Sequence, residues 1–99
     1  MITGQQCAAA RALVEITRAQ LAERTGIPEQ AVRDFEDGAA VPEEDAIRLL
    51  RSLEELGAVF ISEDETMGAG VRLKFSRSVT RRLAVLENEG GPIRSDDVP

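Results

Sequence analysis

The 99-residue sequence contains no histidine and only one cysteine. These two shortages remove much of the usual side-chain chemistry. Zinc sites built from Cys and His need several ligands, and a Ser-His or Cys-His nucleophile pair needs the missing imidazole. Cys7 has no second thiol for an internal disulfide. It stands among alanines (CAAA, 7–10), where a small buried apolar side chain is the ordinary reading. No run of 18 apolar residues occurs, and no basic start leads into the apolar centre and small-residue cleavage site of a secretory leader. The expectation is a cytoplasmic protein without a membrane partner.

Cations are also in short supply: 12 Lys and Arg face 18 Asp and Glu, a net charge of −6. That balance opposes binding to any polyanion, because Lys and Arg contacts to phosphate supply most non-specific affinity for nucleic acid. The rest of the composition, 42% hydrophobic and 30% charged, is that of an ordinary globular domain. A chain this long supports one core, burying roughly 60 to 65% of the surface its unfolded form exposes.

The sequence reads as a series of short helices. Residues 4–16 place Cys7, Ala10, Leu13 and Val14 at helical spacing, with alanines raising helix propensity. Thr17 and Gln20 form a Thr-x-x-Gln capping box, so a second helix is expected over 18–24, burying Leu21 and Ala22 and closed by Gly26. Pro28 suits the first position of a third helix over 28–37. Ala31, Val32 and Phe35 form its apolar stripe, which leaves Glu29, Gln30, Arg33 and Asp37 nearer solvent. A fourth helix, 43–56, opens with Glu43, Glu44 and Asp45 at the positive end of its dipole and presents Ile47, Leu50, Leu53 and Leu56, with Leu49 beside them.

The period then changes. AVFI (58–61) and VRLKF (71–75) read as the strands of a hairpin over 58–75 with a long polar loop. One face of that hairpin is expected to lie under the fourth helix, and the other to be open for a second copy or a partner protein. Helical spacing returns at Val79, Leu83 and Leu86, giving a fifth helix over 78–89, and residues 90–99 read as a flexible tail. The expected organisation is one domain over 1–89.

Residues 5–57 resemble the Cro/C1-type, or XRE-like, helix-turn-helix family. The likeness rests on Arg11 and Leu13, Thr17 before Leu21-Ala22, Gly26-Ile27 at the turn, Val32 and Phe35-Glu36, then Gly38 and Pro42. It implies a mainly α, five-helix Cro/C1-like domain with a small C-terminal β-hairpin. It also implies that Pro28, Glu29, Gln30 and Arg33 occupy the positions that meet base edges in DNA-reading members. Gln30 has the chemistry for adenine, Arg33 for guanine and Glu29 for cytosine. Family members often carry a polar residue at the start of that helix and a cation after its closing glycine. Here Pro28 and Ala39-Ala40 stand there. A weaker resemblance is to the small antiactivators of rhizobial mobile islands.

Residues 1–57 hold eleven acids and six arginines, and Glu29, Asp34, Glu36 and Asp37 oppose the single cation Arg33 on the third helix. Arg18 is either a phosphate contact or an ordinary solvated arginine. One stretch is basic: Arg72, Lys74, Arg77, Arg81 and Arg82 fall within 71–82 without an acid, suited to phosphate, to an acidic protein surface or simply to solvent. The adjacent acids Glu43-Glu44 and Glu54-Glu55 point to different sides of a helix, and SEDETMGAG (62–70) lacks the ligand spacing of a calcium loop. No catalysis and no cofactor are expected. Two functions remain: transcriptional control through contact with a transcription factor or other regulatory protein, or operator binding as a homodimeric repressor.

Overall fold

A computed structural model describes residues 1–75, so the helix expected over 78–89 and the tail 90–99 lie outside the described residues. The described part is mainly helical: α1 (Gly4–Val14), α2 (Arg18–Thr25), α3 (Glu29–Glu36) and α4 (Glu43–Glu55) precede an antiparallel pair, β1 (Ala58–Ile61) and β2 (Gly70–Leu73). None of these helices is long and apolar enough to cross a membrane.

Local signals set most of the helix ends. Thr17 and Gln20 close the expected capping box at the start of α2. Thr3 and Gln6 repeat the same arrangement at the start of α1. At the end of α2, Gly26 adopts φ 76° and donates its N–H to the Ala22 carbonyl. A Cβ there would meet no atom, so the demand for glycine comes from the backbone alone.

Several boundaries differ from the expectation: α2 runs on to Thr25, α4 ends at Glu55, and β2 covers Gly70–Leu73 where 71–75 was expected. α1 stops at Val14 because Glu15 turns left-handed (φ 61°), and the N–H groups of Glu15 and Ile16 both donate to the Arg11 carbonyl. α3 begins at Glu29 and ends at Glu36. Pro28 sits at the cap with ψ 140°, where its carbonyl accepts from Ala31 and Val32.

The core is built around Leu21, Leu49, Leu53, Val32 and Cys7, all fully buried. Ile2, Ala10, Val14, Ile27, Phe35 and Ala58 complete the cluster. α4 turns a different stripe inward from the one expected: Ala46, Leu49 and Leu53 are buried, Leu50 and Leu56 pack at the margin and Ile47 is only half-buried. Ala46 is only 2% exposed, and a count of large apolar residues overlooks so small a side chain. A small residue is required at Gly4, where α1 passes the end of α3, since a Cβ there would collide with the Phe35 carbonyl.

The hairpin register pairs Ala58 with Leu73, Val59 with Arg72, Phe60 with Val71 and Ile61 with Gly70. Side chains alternate across such a pair, so Ala58, Phe60, Val71 and Leu73 face the core while Val59, Ile61 and Arg72 face away. α1 shares the covering of the inner face with α4. Its Gln6 is buried, and its Nε2 donates to both the Ile61 carbonyl (3.1 Å) and the Gly70 carbonyl (3.0 Å). The same side chain accepts the Thr3 N–H through Oε1. One amide therefore caps α1 and fastens the loop end of the hairpin to it.

Candidate functional site

The α3 helix carries two sets of charges with opposite fates. Glu36, counted in the sequence with the acids that oppose Arg33, is an internal anion with its side chain 2% exposed. Arg11 from α1 grips it with a two-pronged fork, Nε to Oε2 at 2.7 Å and Nη2 to Oε1 at 2.9 Å. Arg18, the first residue of α2, adds Nε to Oε1 at 2.9 Å. Arg11 also donates to the Ile16 carbonyl, so it holds the α1–α2 connection as well. Three helices are tied through one carboxylate.

The chemistry of this cluster is structural. Burial alone would raise the Glu36 carboxyl, but the hydrogen bonds from Arg11 and Arg18 outweigh it and hold the group below the ordinary range. The hydrogen bond to Glu36 raises the Arg11 guanidinium further against the opposing effect of burial. Burial first, and the Glu36 charge second, push the Cys7 thiol up to about 12. Cys7 donates from Sγ to Glu36 Oε2 at 3.5 Å, and burial favours its protonated, less nucleophilic form.

The second set faces solvent. Glu29, Gln30, Arg33, Asp34 and Asp37 are all exposed on one side of α3. Gln30 donates to Asp34 Oδ1 at 2.8 Å, while Arg33 forms no ion pair among the described residues. With Glu36 turned inward, this side carries three carboxylates and one cation. The positions beyond it, Ala39 and Ala40, are exposed and uncharged. Arg18, weighed in the sequence as a phosphate contact or a solvated arginine, has a third role: it is 35% exposed and bonded to Glu36.

Of the basic stretch, Arg72 lies exposed opposite Val59, and Lys74 Nζ sits 5.6 Å from the Phe75 ring centre. Arg77, Arg81 and Arg82 lie outside the described residues. In the hairpin loop, Asp64 accepts the N–H groups of Thr66 and Met67, and these bonds hold its carboxyl below the usual range. That arrangement shapes a turn. No cluster of three or more metal-ligating side chains occurs among the described residues.

A cationic groove was not legible in the sequence. Arg24 and Thr25 at the end of α2 meet Arg48, Arg51, Ser52 and Glu55 of α4 along an open groove. Arg24 Nε donates to the buried Ser52 hydroxyl at 3.2 Å, and its Nη2 lies 3.5 Å from Glu55 Oε2. The only advance signal was the spacing of Arg48 and Arg51, which puts both on one flank of α4. Compared with protein-family models and with curated proteins, the chain matches none.

Proposed function

We propose that this protein is a transcription regulator that keeps a Cro/C1-type helix-turn-helix scaffold and acts by protein contact. In this reading it occupies a transcription factor or another regulatory protein, as an antiactivator does, and α3 serves as a contact surface more than as a reader of DNA. The carrying observation is the commitment of Arg18. The cation best placed on α2 to hold a phosphate is bonded to Glu36, while the outward side of α3 offers Glu29, Asp34 and Asp37 around the lone Arg33. Phosphate contacts give a DNA reader its orientation and much of its affinity. Three carboxylates on the approaching face work against both.

A second reading, a sequence-specific repressor of the XRE type working as a homodimer, draws on Gln30 and Arg33. Both are exposed, three residues apart on α3, with side chains suited to adenine and guanine edges. Selection from a random double-stranded DNA library at about 50 mM salt separates the two readings. Protein contact predicts no retained sequence. Enrichment of a paired half-site, abolished by Arg33→Ala, would replace it with the repressor.

A further inference from the structure

The geometry points to the groove between α2 and α4 as a docking site for an acidic peptide segment of a partner protein, held by Arg24, Arg48 and Arg51. This rests on the protein-contact reading above and names the chemistry of the partner. Three guanidiniums and one carboxylate border the groove, leaving it locally cationic on a chain whose net charge is −6. The local charges do not neutralise one another. Glu44 lies four residues before Arg48 and Glu55 four after Arg51, spacings at which helical ion pairs close. Yet among the described residues neither arginine forms one. Arg24 does meet Glu55, but at 3.5 Å, longer than a charge-assisted hydrogen bond, and the Glu55 side chain is 70% exposed.

Ser52 gives the groove a fixed point. Its buried hydroxyl accepts from Arg24 Nε, which sets the plane of that guanidinium and keeps its Nη2 edge at the groove. Planar guanidiniums match carboxylates with two parallel bonds each, so a peptide bearing neighbouring Asp or Glu side chains supplies what Arg48 and Arg51 lack. The surroundings favour such a short segment over a nucleic-acid strand. Glu55 on the rim and the net charge of −6 oppose the continuing phosphates of a strand, whereas a peptide carries its charge at a few positions.

The test uses the full chain, labelled for NMR and titrated at about 50 mM salt with a capped pentaglutamate peptide, with pentaglutamine as the neutral control. The expected result is a saturable shift of the Arg24, Arg48 and Arg51 Nε–H signals with pentaglutamate alone. Arg48→Gln combined with Arg51→Gln should weaken that binding at least about tenfold while leaving the unfolding midpoint in place, since both side chains are exposed. An absent shift at the groove, or equal binding by the double variant, overturns the proposal. So does a short duplex DNA that shifts these signals more strongly than the peptide. Library selection reports separately on the parent reading: an enriched operator would remove protein contact by α3, whereas a silent groove with no operator would remove only this site.

Discussion

At the N-terminal end of α2, Arg18 joins Arg11 on Glu36, whose side chain is 2% exposed. At the other end, Arg24 stands with Arg48 and Arg51 near Glu55, whose side chain is 70% exposed. Both places gather arginines from more than one helix around a glutamate. Contacts of 2.7 to 2.9 Å close the first, while the second has one contact of 3.5 Å. Water accounts for the difference. Where it is excluded, an unpaired charge is costly and the side chains lock together; where it enters, the pair contributes little and the cations remain available to an outside partner.

The contrast breaks most readily at its buried side. Glu36→Gln leaves two guanidiniums facing a neutral amide, and a urea titration should show a loss of about 3 kcal/mol in unfolding free energy. A loss below about 1 kcal/mol would put the clamp on a par with a surface pair. The same carboxylate sets the acid response. Its folded pKa lies below its unfolded value, so its contribution is present above the ordinary glutamate pKa of about 4.3 and is lost as pH falls through the folded value. Urea midpoints should therefore drop more steeply on acidification in the wild type than in Glu36→Gln; parallel profiles would assign acid sensitivity to other groups.

A neutral counterpart sharpens the comparison. Gln6→Ala strips a hydrogen bond from two carbonyls at the loop end of the hairpin and should cost about 1 to 3 kcal/mol. Hydrogen exchange should speed up in β1 and β2 before it does in α2 and α3; uniform acceleration would mean that the amide supports the whole core instead. The smallest effect is expected at the exposed end of α2, where Glu55→Gln should change stability by less than about 0.5 kcal/mol, read by the same urea titration. A loss as large as that of Glu36→Gln would end the distinction between the two clusters.

How much of this was legible in the sequence depends on how far each side chain reaches. The Thr17–Gln20 box and the Gly26 turn could be read directly because their partners lie within four residues. Gln6 sits three residues after Thr3 in the same motif, but its other two partners are 55 and 64 positions away and leave no local trace. Glu36 counted as one more acid of its helix because Arg11 and Arg18 reach it from 25 and 18 residues back. Periodicity revealed α4 but misjudged its buried centre, since small Ala46 and polar Ser52 contribute little to a hydrophobic pattern although both are buried. The groove needed two helices side by side, with Arg24 reaching across 28 residues to Ser52.

Gln6 also sets an order in time. A ribosome releases it early and Gly70 sixty-four residues later, an interval of about 3 to 13 seconds at ordinary rates of synthesis. The rest of α1 and all of α2, α3 and α4 are made within that interval, before the amide has its hairpin partners. Among the described elements the hairpin is thus the last to become available, and the exchange of water for the Ile61 and Gly70 carbonyls has to wait for that stretch to emerge.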